Sequence, residues 1–182
     1  MAVSSDGSDP SKVDRFLADR PLDGRRHELI DGTEIKSPAL PEAHQAAVER
    51  LAELLRAAAP AGLATVTGGL DWGVSASTVV GPHLLVVDEH DVHLEGTFTR
   101  AVPRLIVEGV TPYTAMATRT IKWALYERSG VPAYWLLEPD VPRLMILERE
   151  GDDLVERVTL TGAESADLTV PFPVTVAPGK LL

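Results

Sequence analysis

PRLIVEGVTPYTAMATRTIKWALYERSGVPAYWLLEPD, residues 103–140, is the stretch whose pattern decides the fold. Its first apolar run, Leu105-Ile106-Val107, ends on a carboxylate, Glu108. Thr111 and Pro112 then punctuate the chain, residues 114–129 are expected to form a helix, and Gly130-Val131-Pro132 stops it. A second run, Tyr134-Trp135-Leu136-Leu137, ends on Glu138 and Pro139. Two apolar runs joined by a helix make a strand–helix–strand unit with neighbouring parallel strands. Glu108 is thereby placed at the end of a buried strand beside a helix start, where α/β proteins tend to keep their chemistry.

Downstream, residues 143–148 and 154–160 flank Glu150-Gly151-Asp152-Asp153 as a hairpin. Residues 167–170 are expected as an edge strand limited by Pro171 and Pro173. Upstream, Gly81-Pro82 introduces a strand over 84–87, and shorter strands are expected over 64–67 and 70–74, turned into a pair at Gly68-Gly69. Residues 41–59 carry Val48, Leu51, Leu55 and Ala58 at helical spacing, with His44 on the same inward stripe. Asp31-Gly32 between two short runs signals a hairpin over 26–36. Residues 13–18 suit a short helical turn. Residues 1–12, rich in Ser, Asp and Gly, are expected to be a disordered tail before a single domain over 13–182. The fold class is α/β in the broad sense (α+β), a mixed sheet flanked by helices with additional hairpins.

Composition narrows the function. At 182 residues, 45% apolar and 24% charged, the chain suits one globular domain of ordinary core size. No apolar run approaches the roughly 20 residues that span a bilayer, so no membrane partner is expected. The first residues lack the pattern of a signal peptide, and cysteine is absent, which fits a cytoplasmic setting. A net charge of −10 argues against non-specific coating of nucleic acid. It leaves room for a nuclease, whose acidic residues hold metal ions, and otherwise serves solubility.

The sequence contains no Gly-rich phosphate loop, GxSxG elbow, HExxH or dinucleotide fingerprint. His83, His90 and His93 lie near one another, the latter two in a polar loop, DEHDVHLEG. What remains is a constellation: His83 entering one strand, Glu108 ending another, and Lys122 on the connecting helix, one face with Thr118 and Tyr126. Ile121, Ala124, Leu125 and Ala117 are expected to face the core instead, leaving Lys122 at the solvent side.

The segments HELIDGTEIKSP, PEAHQ, GPHLLVV, LIVEGVTP and IKWALYERSGVPAYWLLEPD, in this order, resemble the Uma-two family of restriction-endonuclease-like proteins in the PD-(D/E)XK nuclease superfamily. The likeness covers about residues 26–150. It implies a restriction-endonuclease-like mixed sheet and metal-assisted attack of water on a DNA phosphodiester, with carboxylates holding Mg²⁺ or Mn²⁺ and a lysine stabilising developing charge. Carried onto this chain, it implies Glu108, Lys122 and His83 as catalytic residues, Glu108 and His83 as metal ligands, and Glu28 and His44 as supporting residues. It also implies a homodimer.

The match has departures. His83 stands where the family's PD segment carries Asp, Thr118 where the helix carries an acid, and His27 where an aromatic precedes the first Glu. Imidazole in place of carboxylate favours Zn, Co, Ni or Mn over Mg. Two functions follow from the resemblance and its departures. One is a metal-dependent endonuclease impaired at His83. The other is an inactive member, without a metal, that acts as a binding or interaction protein. Glu28 and His44 have the alternative of satisfying each other in the core. A basic groove of Arg100, Arg104, Arg119 and Lys122 would suit DNA in either case.

Overall fold

The computed structural model describes residues 11–92 and 98–182. Ser11 caps helix α1 (Lys12–Asp19) through a reciprocal pair of bonds with Asp14. Strands β1 (Arg26–Ile30) and β2 (Thr33–Ser37) form the hairpin, with Asp31 and Gly32 both at positive φ as a two-residue turn requires. Helix α2 (Glu42–Ala58) leads to β3 (Leu63–Thr67), β4 (Asp71–Ser75), β5 (Thr78–Val80), β6 (Leu84–Asp88) and β7 (Phe98–Thr99). Strand β8 (Leu105–Gly109) enters the crossover, which ends in β9 (Ala133–Glu138). The hairpin β10 (Arg143–Glu150) and β11 (Asp153–Thr161) follows, then a ribbon of β12 (Ala166–Leu168) and β13 (Val174–Val176).

The central sheet has the order β11-β10-β9-β8-β6-β3, with β8 and β9 parallel and the other pairs antiparallel. Alternation along its strands divides the core in two. Leu84, Val86, Leu105, Val107, Trp135 and Leu137 pack beneath α2, on Val48, Leu51 and Leu55. Leu85, Val87, Ile106, Tyr134 and Leu136 face the opposite way. There they meet the crossover and a second sheet of order β2-β1-β5-β4-β7. His83 and Glu108 keep step with Leu85 and Ile106, so both project into this second layer.

Three expectations are corrected. Gly68-Gly69 does not join its flanking strands: β3 pairs with β6, while β4 pairs with β5 and β7 in the other sheet. Both glycines have positive φ, the freedom that lets the chain leave one sheet for the other. The strand expected at 167–170 is present as β12 but ends at Leu168 and pairs only with β13, the two closed across Pro171 and Pro173. The third concerns the crossover, which is α-helical over Ala115–Ala117 and Trp123–Arg128 with a π-helical turn, Thr118–Lys122, between them. Its inward face is Thr118, Lys122, Leu125 and Tyr126, whereas Ile121 is 45% exposed and Ala124 is exposed. Of the expected tail, residues 1–10 lie outside the described residues, and Lys12 belongs to α1.

Candidate functional site

Four elements converge on the carboxylate of Glu108, which is fully buried. The register of β6 on β8 sets Leu84 beside Val107, and the next step sets His83 beside Glu108, their Nδ1 and Oε2 2.6 Å apart. Lys122, rooted in the π turn, donates from Nζ to Glu108 Oε1 at 2.7 Å and to Glu28 Oε1 at 2.8 Å. Tyr126, one helical turn on, donates its hydroxyl to the same Oε1 at 2.9 Å. Arg26 and Glu28 alternate on β1 and so share its inward face; Arg26 Nη1 donates to Glu108 Oε2 at 3.2 Å. Glu28 Oε1 also accepts the backbone N–H of Gly81 at 3.0 Å, tying β1 to the entry of β6.

Protonation states follow from these contacts. Burial alone would raise the Glu108 pKa, but Lys122, Arg26 and His83 outweigh it and hold the carboxyl well below its ordinary value. Burial lowers the His83 pKa against the pull of Glu108, so the ring is neutral near pH 7. A neutral ring 2.6 Å from a carboxylate must carry its proton on Nδ1. Its Nε2 lone pair then accepts from Arg26 Nη1 at 2.8 Å. The alternative tautomer would set a lone pair against Glu108 Oε2 and an N–H against the guanidinium. With Nδ1 committed to Glu108, the Gly109 N–H, 3.1 Å away, has no lone pair to meet there. Burial opposes the Arg26 charge too, yet Glu28 and Glu108 more than offset it and its pKa is raised. Burial and the neighbouring Glu108 and Glu28 push the Tyr126 hydroxyl well up, so it remains a donor.

Of the residues singled out in the sequence, the structure brings Glu28, His83, Glu108 and Lys122 together. His44 lies aside: it is buried on α2 and its Nε2 is 3.0 Å from Asp140 Oδ1, so Glu28 and His44 do not satisfy each other. Asp88 pairs with Arg104 and does not join. Thr118 is buried beside the site and its carbonyl accepts from Tyr134. His90 sits on an exposed turn, and His93 lies outside the described residues.

The four cations that could form a basic groove each have another engagement. Lys122 is buried, Arg119 pairs with Glu138, Arg104 pairs with Asp88, and Arg100 stacks over Phe98. The opening onto the site is a cleft of about 680 Å³ whose walls include Arg20, Arg25, Arg26, Gln45 and His83. Two members of the site were missed. Helical spacing puts Tyr126 on the Lys122 face and says nothing of its role. Arg26 had a signal in its alternation with Glu28, two residues apart on one strand.

A divalent ion is the group that the fold implies here, and the residues can be tested against it. Both oxygens of Glu108 already accept two donors each, and His83 spends one nitrogen on Glu108 and the other on Arg26. A metal must sit roughly 2.0–2.2 Å from such ligands. Arg26 Nη1 occupies that space, 2.8 Å from His83 Nε2 and 3.2 Å from Glu108 Oε2. Among the described residues, no three His, Asp or Glu side chains are grouped so as to hold a metal ion. In this arrangement the residues do not fit one.

The mixed sheet thus brings an acid and a histidine together at one end of its central strands, with a lysine from the crossover beside them. The structure is similar to the crystal structure of "a putative nuclease belonging to DUF820" from Anabaena variabilis ATCC 29413, with a TM-score of 0.72 over 94% of this chain and 96% of that one. At 15% identity the likeness is one of fold. A search among curated proteins returns no match. The model of the Uma2 family, described as "Putative restriction endonuclease", matches residues 14–178. The chain belongs to the Uma2 family.

Proposed function

We propose that this chain is an endonuclease-like protein directed at the phosphodiester bonds of DNA, with hydrolysis impaired in the site as it stands. The reading is supported by the convergence of Glu108, Lys122, His83 and Glu28, drawn from four separate elements onto one buried point beside an open cleft. Such a gathering is costly, because each buried charge must be matched and hydrogen-bonded. It is hard to account for by stability alone. Lys122 and Arg26 are the cations such a site would offer a phosphate, each paired here with Glu108 and Glu28. The impairment rests on His83, which offers a neutral ring where a second carboxylate would hold a cation. Losing one such contact costs about 2–4 kcal/mol of transition-state stabilisation, a factor of about 30 to 1,000 in rate.

The test is cleavage of plasmid and single-stranded DNA in Mg²⁺, Mn²⁺, Co²⁺ and Zn²⁺ by the native protein, His83→Asp and Glu108→Ala. Cleavage by His83→Asp at least about 30-fold faster than native, with Glu108→Ala silent, is the expected result. Native cleavage as fast as that of His83→Asp would remove the claim of impairment. Silence of all three in every metal would leave the second reading, an inactive family member that binds a partner. The close engagement of Arg26 with Glu108 and His83 favours that reading where the first fails.

A further inference from the structure

We propose that the Arg26 guanidinium is the resident cation of this site, standing where a divalent ion would bind and making the native cluster complete without metal. The inference rests on the endonuclease-like reading of the site and concerns what occupies it.

Charge and geometry point the same way. The buried cluster contains two carboxylates, Glu28 and Glu108, and two cations, Lys122 and Arg26; His83 meets the Arg26 guanidinium with the lone pair of Nε2, 2.8 Å away, and so adds no charge. Its formal charge therefore sums to zero. Adding a divalent ion would leave two uncompensated positive charges in a region shielded from water, a large penalty at low dielectric. Arg26 is also held as a metal would be, by several oxygens and a nitrogen at once. Its Nη1 contacts Glu108 Oε2 at 3.2 Å, His83 Nε2 at 2.8 Å and the Gly81 carbonyl oxygen at 3.2 Å. These belong to β8, the entry of β6 and the turn before it, so one guanidinium joins the strands that a shared ion would join. The side chain remains 17% exposed toward the cleft, so the position it fills is one an ion in solution could reach.

Formal charge also says what would admit a metal. His83→Asp or Arg26→Met alone brings the cluster to one negative charge, and the pair of substitutions brings it to two, which a divalent ion balances. The experiment is Mn²⁺ binding, measured by calorimetry and by paramagnetic broadening of the Gly109 amide, whose N–H lies 3.1 Å from His83 Nδ1. The native protein should show no broadening at substoichiometric Mn²⁺. The folded Arg26→Met/His83→Asp double variant should bind one Mn²⁺ at least about tenfold more tightly than the native protein, with Gly109 broadened. Native broadening of Gly109 by substoichiometric Mn²⁺ would overturn the proposal. So would a folded double variant that binds Mn²⁺ no better than the native chain. Should the double variant not fold, the native spectrum still decides. These readings require no DNA cleavage, so a failure of the endonuclease-like function leaves them intact.

Discussion

Glu108 is the residue on which most of the site's polar contacts depend. It accepts from Lys122, Tyr126, His83 and Arg26 with no exposure to solvent. Replacing it by Gln keeps the shape and removes the charge, leaving Lys122 and Arg26 to share Glu28 alone. Breaking a buried ion pair by removing one partner costs about 3–5 kcal/mol. Glu108→Gln should therefore lower the unfolding free energy by an amount of that order, read as a lower urea midpoint at an unchanged denaturant slope. A loss near zero would mean that the pairs contribute nothing net to the fold. At this scale the sequence disclosed Glu108 and His83 because strand ends and alternation constrain them. It did not disclose the inward turn of Lys122, because regular helical spacing assigned the buried face to Ile121 and Ala124. Only the π turn, which adds a residue to one helical turn, brings Lys122 inside.

The β1–β2 hairpin shows how an element is held in place beside that cluster. His27, whose ring is fully enclosed, has Nε2 2.8 Å from Asp23 and Nδ1 2.7 Å from Glu34, and Glu34 also meets Lys36. Bonds to Glu34 and then Asp23 raise the His27 pKa, so folding favours the protonated ring. The stabilisation is complete below the ring's unfolded pKa of about 6.5 and is lost as pH rises through the higher folded value. Asp23 and Glu34 are both lowered by their bond to His27, so their share disappears in the opposite direction, as acid protonates them. The melting temperature should fall as pH rises above about 6.5 in the native protein and less steeply in His27→Tyr. Parallel slopes for the two proteins would rule this clasp out. The hairpin itself was plain from Asp31-Gly32, but its partner strand β5 was not, since three residues carry too little periodicity to register.

For the molecule as a whole, the site lies where two sheets meet, and neither sheet holds it alone. Glu108 and His83 come from the central sheet, Arg26 and Glu28 from the second, and Lys122 and Tyr126 from the helix between them. The central strand–helix–strand unit was legible because its apolar runs are continuous and its breakers are strong. The passage of the chain between sheets at Gly68-Gly69 was not, because two glycines signal a turn without saying which strand comes next. No described helix is long and apolar enough to cross a membrane.

The buried ion pairs also have a place in the order of events as the chain folds. Lys122 and Glu28 are 94 residues apart in sequence, and Arg26 and Glu108 are 82. Contacts that close such long loops form slowly, and charges lose their water only when the surrounding walls are already in place. The cluster should therefore complete after the rate-limiting barrier. Lys122→Met should chiefly steepen the unfolding rate and leave refolding nearly unchanged, as a chevron plot would show. A matching slowdown of refolding would instead make the cluster part of the nucleus. With the cluster outside the nucleus, the lifetime of the native state, rather than the speed of reaching it, is what these six side chains govern.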